Sequence, residues 1–185
     1  PGLWGAPLRA ISGFPPPDFY KEWTNTNSGG SAGASHSETC PHNLNCFHDY
    51  EEGMAYAQQV GKPVMIDFTG WSCVNCRKME DNVWSQPAVL KIISEDYVLI
   101  SLYVDDKTPL PESKQFVSTS TGKKVKSTGN KWSEMQSRIY QTNSQPYYVL
   151  LDHQGKLLAK PVGYTPDADT YKKYLEEGKC RFKGR

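Results

Sequence analysis

Apolar positions along this chain fall into runs whose period changes, and each change marks an element. Asp49 followed by Glu52 resembles a capping box. Met54, Ala57 and Val60 then repeat at helical spacing as far as Gly61, a residue suited to closing a helix. Lys62-Pro63 breaks that helix, and Val64-Met65-Ile66-Asp67-Phe68 is short and mostly apolar, the pattern of a strand covered on both faces. A turn from Gly70 to Cys73 leads into a predicted helix through about Val83, and Pro87 opens another through Ser94. Residues 97–104 alternate and run apolar, as a second parallel strand would. Helical spacing returns over 132–141 through Met135 and Ile139. Residues 147–151 and 157–162 flank Asp152-His153-Gln154-Gly155, a hairpin signal, and 166–177 form a last helix with Gly178 at its end. The predicted order is helix, strand, helix, strand, helix, strand, strand, helix. Alternation followed by an antiparallel pair gives an α/β fold: a central mixed β-sheet with helices on both faces.

Two stretches escape this pattern. Residues 1–45 contain the stiff Pro15-Pro16-Pro17 and the linker-like Ser28-Gly29-Gly30-Ser31-Ala32-Gly33, so order is expected to begin near Asp49. The apolar start (Leu3, Trp4, Leu8, Ile11, Phe14) either docks on the domain or follows a membrane helix. Residues 105–130 are polar and rich in Pro, Gly, Ser, Thr and Lys, and an irregular stretch of that length is either functional or mobile. The predicted organisation is a largely irregular juxtamembrane linker over 1–45 and one domain over 46–180, with an insertion at about 105–130.

A chain of 185 residues can bury one substantial core. Its 21 basic and 20 acidic residues leave a formal charge of +1 and no electrostatic case for nucleic acid binding. No run of eighteen apolar residues marks a membrane span. The chain opens on Pro1 without a signal-peptide pattern and is read as a piece of a longer protein.

Chemistry concentrates where the first strand meets its helix, at Cys73-Val74-Asn75-Cys76. A sulfur at a helix start faces unpaired backbone N–H groups and the positive dipole end, which favour thiolate over thiol. Thiolate is the species that attacks a disulfide. Cys73 is therefore the candidate nucleophile, with Arg77 expected to add favourable charge. Cys76, one turn on and more buried, is the candidate resolving thiol. A zinc half-site would need two further ligands at matching spacing, and haem attachment needs a His where Arg77 stands. Asp67, within an apolar strand, is either a proton acceptor for Cys76 or a carboxylate facing solvent at the strand end. Trp71 either covers the sulfur pair or packs in the core. Gln145-Pro146 precedes the third strand, where a proline is tolerated.

The chain resembles the thioredoxin superfamily at this point. More closely it resembles the C-terminal periplasmic domain of DsbD, a bacterial transmembrane thiol:disulfide interchange protein. The residues that carry the likeness are Lys62-Pro63-Val64-Met65-Ile66-Asp67-Phe68, Trp71-Ser72-Cys73-Val74-Asn75-Cys76-Arg77-Lys78-Met79-Glu80, Gln145-Pro146-Tyr147-Tyr148-Val149-Leu150-Leu151-Asp152 and Gly155. The resemblance covers about 47–178. It implies that Cys73 attacks and Cys76 resolves, that Asp67 and Glu80 are acids beside the pair, and that Pro146 is a cis-proline packed on the disulfide. Trp71, Gln145 and Pro146 would meet the substrate. It also implies a periplasmic electron-relay domain fed by a membrane-embedded domain of the same protein and acting on protein disulfides. No cofactor is implied beyond the Cys73–Cys76 couple, no metal at the site, and a monomer for the isolated piece. Gln145-Pro146 departs from the family's commoner Thr-Pro or Leu-Pro.

Other residues invite over-reading. His36, Cys40, His42, Cys46 and His48 cluster in sequence; a Cys40–Cys46 disulfide is the first reading, free thiols and a metal site the alternatives. Cys180 is read as an unpaired thiol, and Lys123-Lys124-Val125-Lys126 as a solvated face. Functional readings from other classes are a metal-binding or chaperone-like module and a disulfide-forming oxidant, since a motif does not fix the direction of exchange.

Overall fold

The structure, a computed structural model, describes residues 38–119 and 121–184. The proline and glycine tracts of the predicted linker, the apolar start and His36 lie outside the described residues. Regular structure already begins before Asp49. Strands β1 (Glu38–Cys40) and β2 (Leu44–Phe47) form an antiparallel hairpin closed by a Cys40–Cys46 disulfide. The disulfide is the first reading of that cysteine pair; the strands themselves escape the local pattern because β2 is held by parallel pairing with a distant strand, Cys46 opposite Leu99.

Helix α1 (Tyr50–Val60) starts and stops where its caps dictate. The Asp49 carboxylate accepts from the N–H groups of Glu51 and Glu52, and Gly61 adopts the left-handed conformation at φ 67°. Next come β3 (Val64–Thr69), α2 (Val74–Met79), α3 (Pro87–Asp96), β4 (Val98–Tyr103), the short ribbon strands β5 (Phe116–Val117) and β6 (Lys124–Val125), α4 (Thr128–Tyr140), β7 (Tyr147–Leu151) and α5 (Ala168–Lys183). The main sheet runs β1-β2-β4-β3-β7. β3 and β4 are parallel, while β7 lies antiparallel to β3 with Phe68 opposite Tyr147. The expected mixed sheet with helices on both faces is thus observed. Val64, Ile66 and Phe68 of β3 pack with Ala57 of α1 and Trp132 of α4 on one face. Met65 turns to the other face, with Met79, Val83 and Trp84 after α2, Ile93 of α3 and Tyr171 and Leu175 of α5. Residues alternate across a strand, so Asp67 and Thr69 project into that second layer.

Four expectations about elements change. The helix predicted to run through Val83 is α-helical only to Met79 and widens into a π-helical turn over Glu80–Trp84. Residues 157–162 follow β7 without forming a continuous strand. They touch it at Leu157–Leu151 and Val162–Tyr148, and Pro161 between those points has no N–H to give a ladder. Helix α5 runs straight through Gly178. A Cβ there would lie 2.4 Å from Leu150 Cδ1, so this glycine serves close packing instead of a cap. Finally, the described part of 105–130 folds back on itself. Leu110 N–H donates to Lys126 O (2.8 Å), Thr128 N–H to Thr108 O (2.9 Å), and β5 pairs with β6. The Ser118 hydroxyl donates to the buried Glu134 carboxylate of α4 at 2.6 Å, tying this excursion to the domain.

Candidate active site

The strand-to-helix junction after β3 brings the two central cysteines together as a disulfide, Cα–Cα 5.2 Å. Cys73 occupies the N-cap position of α2 with extended backbone, and its Sγ accepts from the Cys76 N–H at 3.2 Å. Cys73 is half-buried and Cys76 is 1% exposed. An incoming group therefore reaches Cys73 first, with a backbone donor already aimed at its sulfur.

The loop leading to Cys73 is pinned from β4's end. The Asp105 carboxylate accepts from Trp71 N–H and Ser72 N–H, both at 3.0 Å. A Cβ on Gly70 would lie 3.0 Å from Asp105 Oδ2, so glycine permits this approach. The half-buried Trp71 ring stacks on Tyr103 at 4.6 Å, a packing contact.

A buried charged cluster links the end of β3 to the helix that begins at Cys73. Asp67 is 2% exposed, and its Oδ1 has no hydrogen-bond partner among the described residues. The reading of Asp67 as a solvent-facing strand end is thereby ruled out. Burial pushes its carboxyl up to about 7, against the opposing pull of Arg77. Glu80, 5% exposed, is pushed up to about 8, again by burial first; Arg77 opposes this, and the charges of Asp67 and Asp81 add to it. Arg77 is itself buried, and its Nη2 donates to Glu80 Oε1 at 2.6 Å and to Thr69 Oγ1 at 3.1 Å. The guanidinium expected to add charge near Cys73 thus pairs through Nη2 with Glu80 and Thr69. One guanidinium cannot balance two carboxylates in a low-dielectric layer, so the cluster titrates as a unit and keeps a proton near neutral pH.

Gln145-Pro146 is a cis peptide bond. Because Phe68 faces Tyr147, Pro146 lies at the same end of the sheet as the β3–α2 junction, and it is buried. Gln145 Nε2 donates to Gln136 Oε1 at 2.8 Å, and Gln136 Nε2 donates to Ser144 O at 2.8 Å, so α4 fixes this segment. All the predicted site residues therefore gather at this end of the sheet or in the layer beneath it. Sequence reasoning missed Asp105, Tyr103 and the pairing role of Arg77. The i, i+3 spacing of Arg77 and Glu80 is a signal that could have revealed the last of these; Asp105 and Tyr103 reach the site only through the fold.

The sequence profile of the thioredoxin-like domain matches residues 50–179. The chain belongs to the thioredoxin-like domain family. No curated protein matches it in sequence. Among solved structures, this thioredoxin-like chain is similar to a thioredoxin from Thermus thermophilus, with 22% identity over 71% of this chain and 85% of that one and a TM-score of 0.50. It is also similar to the DsbD C-terminal domain of Neisseria meningitidis in the reduced form, at 19% identity, 71% and 98% coverage and a TM-score of 0.48. A third similar structure is the oxidoreductase DsbH, at 23% identity, 83% and 96% coverage and a TM-score of 0.47.

Proposed function

We propose that this thioredoxin-like domain is a thiol–disulfide oxidoreductase that reduces protein disulfides through the Cys73/Cys76 couple. The observation that carries the reading is the disulfide at the head of α2, with Cys73 half-buried and its sulfur accepting from the Cys76 N–H while Cys76 is buried. In the reduced protein, Cys73 thiolate attacks one sulfur of the partner's disulfide. A mixed disulfide forms and the partner's other sulfur leaves as thiolate. Cys76 then loses its proton and attacks Cys73 Sγ, so the Cys73–Cys76 bond forms and the partner departs with two electrons gained. Asp67 is the proton acceptor for Cys76: its Oδ1 is buried without a hydrogen-bond partner among the described residues, and burial raises its carboxyl to about 7, close to neutral pH. Glu80 and Arg77 hold the compensating charge. The two sulfurs carry the electrons, so the step needs no other cofactor or metal. Trp71, Gln145 and Pro146 form the rim against which the partner lies.

The residue-level likeness to the DsbD C-terminal domain supports a finer reading: an electron-relay domain in the bacterial periplasm, supplied by a membrane-embedded domain of the same full-length protein. Among the described residues no helix is long and apolar enough to cross a membrane. Reduced protein should cleave a model protein disulfide, and Cys73→Ser should abolish the activity. Cys76→Ser should accumulate a mixed disulfide with the substrate, visible by non-reducing electrophoresis and mass spectrometry. Turnover by the Cys73→Ser protein would remove the proposed nucleophile, and lack of any adduct would remove the resolving role.

A further inference from the structure

A second sulfur pair lies outside this site. The Cys40–Cys46 disulfide is buried, 3% and 2% exposed, under the β1–β2 hairpin. Just past β2, His48 Nδ1 lies 2.9 Å from the carbonyl oxygen of Ser101. A carbonyl only accepts, so Nδ1 carries a proton, and Nε2 is the ring nitrogen that can offer a lone pair to a metal. That Nε2 is 3.8 Å from Cys46 Sγ. The Ser101 hydroxyl lies 3.5 Å from Cys40 Sγ and donates to it, because a disulfide sulfur has no hydrogen. One β4 residue thus orients the imidazole through its backbone and contacts a sulfur through its side chain, the arrangement of an outer-shell group around a metal. The two sulfurs and the imidazole nitrogen lie within 4.8 Å of one another.

Thiolate and imidazole ligands on one tetrahedral zinc, at about 2.3 and 2.0 Å from it, stand roughly 3.5 Å apart. The observed sulfur-to-nitrogen separation is within a few tenths of an ångström of that. We infer that reducing Cys40–Cys46 converts this hairpin into a zinc site. Its ligands are Cys40 Sγ, Cys46 Sγ and His48 Nε2, with water in the fourth position. A dithiol reduces the S–S bond to two thiols and is itself oxidised to a disulfide, or a phosphine does so with water, which supplies both protons as the phosphine becomes its oxide; zinc then displaces the two thiol protons as it binds the thiolates. In the oxidised form the sulfurs are bonded to each other and neither is a thiolate, so redox state gates the site. His42 is outside the ligand set: its Nε2 donates to Glu80 O at 2.7 Å.

This inference does not depend on exchange at Cys73/Cys76, and its test removes that pair. The full chain carrying Cys73→Ser, Cys76→Ser and Cys180→Ser keeps only Cys40 and Cys46. After phosphine reduction under anaerobic conditions, zinc is titrated against a chromophoric chelator. One zinc per chain is expected in the reduced protein and none in the oxidised protein. His48→Gln should weaken binding by about tenfold or more, and Cys40→Ser should abolish stoichiometric binding. X-ray absorption of the zinc-loaded protein should show two sulfur neighbours and one imidazole. Substoichiometric binding after reduction, equal binding without it, or undiminished affinity in His48→Gln would overturn the inference. Should His48→Gln fail to fold, the absorption spectrum decides the same question: a shell without imidazole sinks it.

Discussion

At the scale of single residues, Asp67 sets the pH behaviour of the molecule. Its folded carboxyl holds a proton up to about pH 7, whereas the unfolded group releases it near 3.8. Between those values the folded state binds more protons than the unfolded one, so stability falls as pH rises. At about 1.4 kcal/mol per unit, the upper bound of the loss is about 4 kcal/mol. Glu80, raised from 4.5 to about 8, acts in the same direction over an overlapping window. Asp67→Asn removes one of the two titrations and the like charge that Glu80 feels. Its stability, measured by urea unfolding from pH 4 to 8, should decline less steeply than that of the parent protein. A decline of unchanged slope would mean that Asp67 is ionised throughout. In the exchange reaction the same variant should turn over roughly a hundredfold more slowly, with Cys73 alkylation in the reduced protein nearly unchanged. That split separates proton acceptance at Cys76 from activation of the nucleophile.

At the scale of elements, the loop between β3 and α2 is held by a residue that belongs to neither. Asp105 receives the Trp71 and Ser72 N–H groups, while Gly70 leaves room for its carboxylate. Removing the acceptor in Asp105→Ala strips two donors of a charged partner. Ser72 is exposed and water can replace part of the loss, so the cost should be about 1–3 kcal/mol. Asp105→Asn, which keeps one acceptor oxygen, should fall between. Denaturant midpoints give the energies, and faster hydrogen exchange at the Trp71 and Ser72 amides would localise the effect. Unchanged exchange there would show that the loop holds its own shape. This contact also shows where sequence reading stops. The caps of α1, the apolar β3 and the Cys73/Cys76 spacing are local signals, and each could be read from neighbouring residues. Asp105 lies in a polar stretch with nothing local to distinguish it, and Gly178 resembles a helix stop until Leu150 and Tyr97 are brought against it by the fold.

For the molecule as a whole, the mixed sheet and both helical layers were legible because alternating and helical periods survive in the sequence. At the β2 edge the Cys40–Cys46 disulfide was legible from its spacing, but the docking of its hairpin was not, since that hold is non-local: the pairing of β2 with β4, and His42 donating to Glu80 O. The result is one domain with two sulfur pairs in different settings. Cys73 is half-buried at a loop, whereas Cys40 and Cys46 are both buried at the edge of the main sheet. Thiol–disulfide exchange needs in-line access to a sulfur, so the folded protein should be reduced in a fixed order. With limiting dithiol at 25 °C, alkylation and peptide mass mapping should show Cys73 and Cys76 labelled while Cys40 and Cys46 stay bonded. The second pair should open only at higher reductant, or where mild denaturant or warming frees the hairpin by local unfolding. Reduction of both pairs together in the native protein, or of Cys40–Cys46 first, would place the accessible sulfur at the hairpin and reverse the assignment of which pair meets the partner.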